Sequence, residues 1–117
     1  MDLDTLVADT LESRRGKRLA KRRSPEFVEM VVRRTAAEVA DREADGDLDE
    51  PLSGADRIEF AKGVEISVCD QLDSEGRLWS DDPTKVGMIS FIIAAILSGV
   101  ISWVVSKILD NMFGEAA

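Results

Sequence analysis

Apolar residues recur at helical spacing in three short stretches and then merge into one long run near the C-terminus. Leu3, Leu6, Val7, Thr10 and Leu11 share one face of a helix over 3–12, which Asp2 is placed to cap. A second helix opens at Ser24-Pro25-Glu26, where a capping serine, a proline suited to the first turn and an acid at the positive end coincide. Its apolar face is Val28, Val31, Val32, Thr35, Ala36 and Val39, which predicts a helix over about 25–42. Ile58, Ala61, Val64, Val68 and Leu72 predict a third over 53–72, capped by Ser53 with Asp56 as a partial capping box. Val64–Cys69 also alternates like a strand, but the helical period accounts for more residues. Residues 43–52 and 73–82 read as polar loops.

The long run, Val86–Ser106, holds twenty-one consecutive uncharged residues. As a helix it measures about 30 Å, the thickness of a bilayer's hydrocarbon core. Asp82-Pro83 suits its start, and the pattern continues past Lys107 towards Phe113. Trp103 and Lys107 stand where an interfacial ring and a snorkelling amine anchor a span. The rival is a buried core helix, for which eighty-five mostly polar residues look too few to enclose the run on all sides. The expected fold is therefore all-α: a small cytosolic helical domain of two or three short helices, followed by one C-terminal transmembrane helix. Residues 1–24 form an amphipathic start and basic arm, 25–82 an acidic helical domain, 83–113 the transmembrane helix and 114–117 a tail.

Charge sharpens this division. The net charge is -8, yet residues 1–24 carry seven Lys/Arg against four Asp/Glu, and residues 25–85 carry seven against seventeen. Fourteen of the fifteen basic residues precede the span, which puts the N-terminal domain in the cytoplasm, or on the internal face of a virion membrane. The N-terminus is acidic and shows no secretory signal pattern. With 117 residues the chain excludes large catalytic folds. It has no histidine, hence neither the commonest general base nor the commonest zinc ligand. The single Cys69 rules out an intrachain disulfide and reads as a small core residue.

Two stretches carry candidate contacts. In the span, Ser90, Ala94, Ser98, Ser102 and Ser106 follow at steps of four, with Ala95 and Gly99 beside them. Such small residues let helices approach closely in lipid, so the expected partner is another transmembrane helix, of a second copy or of another protein. Phe91, Ile92, Ile96 and Val100 or Trp103 would face lipid. Simple tolerance of serine is the plainer alternative. In the N-terminal arm, Arg14, Arg15, Lys17, Arg18, Lys21, Arg22 and Arg23 include no acid, and Gly16 weakens any helix among them. They suit an anionic lipid surface or nucleic acid; a solvated arm, or one paired with the acids of 41–50, is the alternative.

Asp41, Glu43, Asp45, Gly46, Leu48 and Asp49 resemble the first nine positions of an EF-hand calcium loop, which implies cation ligands at Asp41, Glu43, Asp45 and Asp49. The twelfth position departs from the family, with Leu52 where a bidentate glutamate belongs. No metal and no cofactor is favoured. A faint echo joins Asp45-Gly46-Asp47-Leu48 to Glu75-Gly76-Arg77-Leu78, for which chance in an acidic chain suffices.

These readings point to a non-enzymatic, tail-anchored, single-span membrane protein acting as an assembly, adaptor or structural component. A minor membrane protein of a membrane-containing virus is one form of that. A holin-like pore former, and an accessory subunit of a membrane enzyme complex, are the alternatives.

Overall fold

The computed structural model describes residues 2–76 and 86–113, the side chains of 86–91 excepted. Among them all regular structure is helical: α1 (Leu3–Glu12), α2 (Arg14–Arg22), α3 (Pro25–Ala44), α4 (Gly54–Ser74) and α5 (Val86–Phe113). The all-helical expectation is met. Four helices rather than two or three precede the long one, because the basic arm is itself helical. The expected start at Asp82-Pro83 and the tail 114–117 lie outside the described residues.

Helix starts follow the local chemistry. The Asp2 carboxylate accepts from the Asp4 N–H at 3.3 Å, and the Ser24 hydroxyl from the Phe27 N–H at 3.0 Å. Ser53 accepts from the Asp56 N–H at 3.4 Å and donates to the Asp56 carboxylate at 2.9 Å. Asp56 thus binds the cap's hydroxyl.

The basic arm folds through Ser13, which closes α1 and opens α2. Its N–H bonds back to the Asp9 and Thr10 carbonyls, at 3.0 and 3.1 Å. Its hydroxyl donates to the Thr10 carbonyl at 2.6 Å and accepts from the Gly16 N–H at 3.0 Å. Gly16, expected to weaken a helix, is what permits this corner. It is buried, and the Thr10 carbonyl fills the space a Cβ would take.

The ends of α3 and α4 account for the two glycines of the echo, whose Arg77 and Leu78 lie outside the described residues. Gly46 and Gly76 have φ of 88° and 70°. The Gly46 N–H bonds to the Glu43 carbonyl and the Asp47 N–H to the Arg42 carbonyl, both at 3.0 Å, which closes α3 as a Schellman motif. The Gly76 N–H reaches the Asp73 carbonyl at 2.9 Å in the equivalent place after α4. Each glycine is a helix stop, and Leu48 beyond the first turns into the core.

One apolar core joins all five helices. Leu6 and Val7 come from α1, Leu19 from α2, Val28, Val31, Val32 and Val39 from α3, and Val64, Val68 and Leu72 from α4. Helix α5 contributes Ile93, Leu97, Val100, Ile101, Val104, Val105 and Leu109, a stripe at steps of three and four. The hydroxyls buried in this core, Thr10 and Thr35, donate to the carbonyls of Leu6 and Val31 at 2.7 and 2.8 Å. They are thereby satisfied without a tertiary partner.

Helix α5 packs on α2, α3 and α4, and on α1 over a shorter contact. Of Val100 and Trp103, the two alternatives for the lipid side, Val100 is fully buried against them and Trp103 is half-buried. The reason is the helical phase: Val100 stands about 60° around the helix from Leu97, on the inward side, whereas Ala95, Ser102 and Ser106 lie on the far side. The N-terminal helices do not enclose α5 all round; they cover one side of it.

Candidate membrane-surface interface

Helix α2 turns Gly16 and Leu19 inward, and its cations outward. Arg14, Arg15, Lys17, Arg18, Lys21 and Arg22 are exposed, and none of them forms an ion pair among the described residues. Arg18, Lys21 and Arg22 line one open depression. Arg23 differs: it is half-buried, with its guanidinium 4.9 Å from the centre of the Phe27 ring.

The arginines of α3 and α4 behave otherwise. Arg33 bonds to Glu29 and Asp4, both at 3.0 Å, and these hydrogen bonds raise its pKa. Arg34 forks onto Glu75, with one contact at 2.7 Å, and is raised in the same direction by that partner. Arg42 bonds Glu38 at 3.1 Å. Arg57 bonds Asp110 at 2.6 Å and the Ser106 carbonyl at 3.3 Å.

The cations of α2 also repel one another. Arg14 and Arg18, Lys17 and Lys21, and Arg18 and Arg22 are like charges at i,i+4, each pair destabilising by about 0.2–0.5 kcal/mol. Two arginines occupy the first turn, whose dipole disfavours them. Helix α2 is therefore held by Ser13 and by burial of Leu19, against its own electrostatics. An anionic surface laid on this face would relieve that repulsion.

Beside α2 lies α5. Its segment Ile92–Phe113 is long and apolar enough to cross a membrane, a test that a bundle's core helix also passes. The small residues expected to form a packing stripe are divided. Ala94, Ser98, Gly99 and Ser102 are half-buried, Ala95 and Ser106 are exposed, and Ser90 lies outside the described side chains. Gly99 meets α2: a Cβ there would stand 3.4 Å from Cδ of Arg15. Trp103 is half-buried with the Lys107 ammonium 5.3 Å from its ring centre, so the two expected anchor residues form one cation–π pair.

The remaining candidates do not assemble. Asp41 and Glu43 are still within α3, and among the described residues no group of Cys, Asp and Glu could hold a metal ion. Gly46, the would-be calcium-loop turn, is the helix stop described above. Cys69 is half-buried on α4, and burial, helped by the charges of Glu65 and Asp70, pushes its thiol up to about 11. Such a thiol is a poor nucleophile at neutral pH.

Sequence reasoning missed Ser13, Gly16, Arg57 and Asp110. The first had a local signal, a serine three residues before a glycine at a charge boundary. The Arg57–Asp110 pair spans fifty-three residues and had none. No protein-family model matches the chain, and neither the curated proteins nor the solved structures compared with it yield a match.

Proposed function

We propose that this chain is a non-enzymatic docking protein of an anionic membrane surface, with α2 as its headgroup contact and α5 as its single span. In the membrane-bound form residues 1–85 stay on the cytoplasmic side. The observation that carries the reading is the unpaired charge of α2. In a chain of net charge -8, surplus carboxylates were available to neutralise it, and they neutralise Arg33, Arg34, Arg42 and Arg57 instead. The absence of histidine and the raised Cys69 thiol support a binding role over a catalytic one.

Sedimentation of the full chain with phosphatidylcholine vesicles, with and without phosphatidylserine, tests this. Binding is expected only with the anionic lipid. Each basic residue near the surface contributes about 1 kcal/mol. Replacing Arg18, Lys21 and Arg22 together by Gln should therefore weaken binding on the order of a hundredfold. Equal binding to both vesicles, or an unaffected triple variant, would sink the proposal. Preference for duplex DNA or RNA over the anionic vesicle would transfer the same face to nucleic acid.

A further inference from the structure

The packing of α5 has a consequence for how it can reach a membrane. Gly99 lies about 10 Å along the helix from Ile92, well inside any bilayer that α5 crosses. In the bundle the Arg15 side chain rests on Gly99, and α2 with its exposed cations runs beside it. The first turn of α4 is tied to the far end of α5 by Arg57, through Asp110 and the Ser106 carbonyl. Inserting α5 with these contacts intact would carry several charged side chains into hydrocarbon. The penalty for them together is comparable with the whole stability of a small domain.

We infer that the closed bundle and the membrane span are alternative states of one chain, and that capture of α2 by anionic lipid releases α5 from its packing. The inference rests on the function proposed above. Helix α5 is suited to both states. Its aliphatic side, which includes Leu97, Ile101 and Val105, meets the core in one state and lipid tails in the other, and the two surroundings are about equally apolar. Helix α2 couples the states, because the same short helix packs on α5 and presents the exposed cations. The Arg57–Asp110 ion pair, with side chains 35% and 51% exposed, is the latch on the α4 side.

The test follows the full chain on vesicles with two readouts, resistance to alkaline extraction and amide hydrogen exchange. With phosphatidylserine present, the chain should become extraction-resistant, and amides around Val64 and Val68 in α4 should lose protection as α5 departs. With phosphatidylcholine alone it should stay extractable and protected. Arg57→Gln should speed insertion about fivefold, the scale of a partly exposed ion pair. Asp110→Asn, which removes the same pair with a smaller change of shape, should match it. If the chain binds anionic vesicles but is wholly released by salt with α4 still protected, the two-state inference and the α5 span both fail, and only the headgroup contact of α2 stands. Integration with α4 protection intact overturns it too. Failure to bind either vesicle overturns both.

Discussion

The carbonyl oxygen of Thr10 occupies the space into which a Cβ on Gly16 would project. At Gly99, also in a helix, the corresponding neighbour is Cδ of Arg15 at 3.4 Å, an ordinary contact with a flexible side chain. The same substitution should therefore have opposite signs at the two sites. Gly16→Ala gains about 1 kcal/mol of helix propensity but must displace backbone, and should be destabilising by about 1–3 kcal/mol net. Gly99→Ala gains the propensity without the clash, and should stabilise the bundle by about 0.5–1 kcal/mol. Urea denaturation without lipid measures both.

Ser13→Ala removes a cap from one helix start and a hydroxyl bond from the preceding helix end. It should cost about 1–2 kcal/mol. The loss should appear as faster amide exchange in α2 before global unfolding, since α2 depends on this residue more than on its own charges.

Leu97→Ala separates a core helix from a passive anchor. Leu97 is fully buried between α5 and its neighbours. Its truncation should destabilise the lipid-free protein by about 2–5 kcal/mol. An unchanged urea midpoint would mean that α5 takes no part in holding α1–α4 together.

Cys69 gives a pH dependence whose sign is fixed. Its thiol is raised from the ordinary 9.0 to about 11 by burial first and by Glu65 and Asp70 second. A folded pKa above the unfolded one means that the neutral thiol's contribution is complete below about 9 and is lost as pH rises through about 11. Wild type should thus lose more stability than Cys69→Ala between pH 8.5 and 10.5. At pH 8 the thiolate fraction in the folded chain should be about a hundredfold below that of a free thiol. Iodoacetamide should accordingly label Cys69 slowly until urea is added.

What the sequence revealed and what it hid divide by range. Helix starts at Asp2, Ser24 and Ser53 were readable, because a cap is a contact between residues two or three apart. The core faces of α3 and α4 were readable from their apolar period. Helix α2 was hidden because it is held by the Ser13 corner and by burial of Leu19, while its run of like charges and Gly16 argue against a helix. Which of Val100 and Trp103 turns inward on α5 was left open, since in a nearly uniform apolar run the phase is set by partners far away in sequence. The arginine contacts on Gly99, Ser106 and Asp110 were invisible for the same reason.

Helix α5 supplies Leu97, Ile101 and Val105 to the centre of a core whose other walls are all made earlier in translation. During synthesis α1–α4 leave the ribosome before α5, so the faces of α2, α3 and α4 that pack on α5 stay uncovered until it appears. For that interval the nascent chain is a client for any factor that shields apolar surface. Closure of the core therefore waits on the emergence of α5, and its timing is a matter of rates as much as of stabilities.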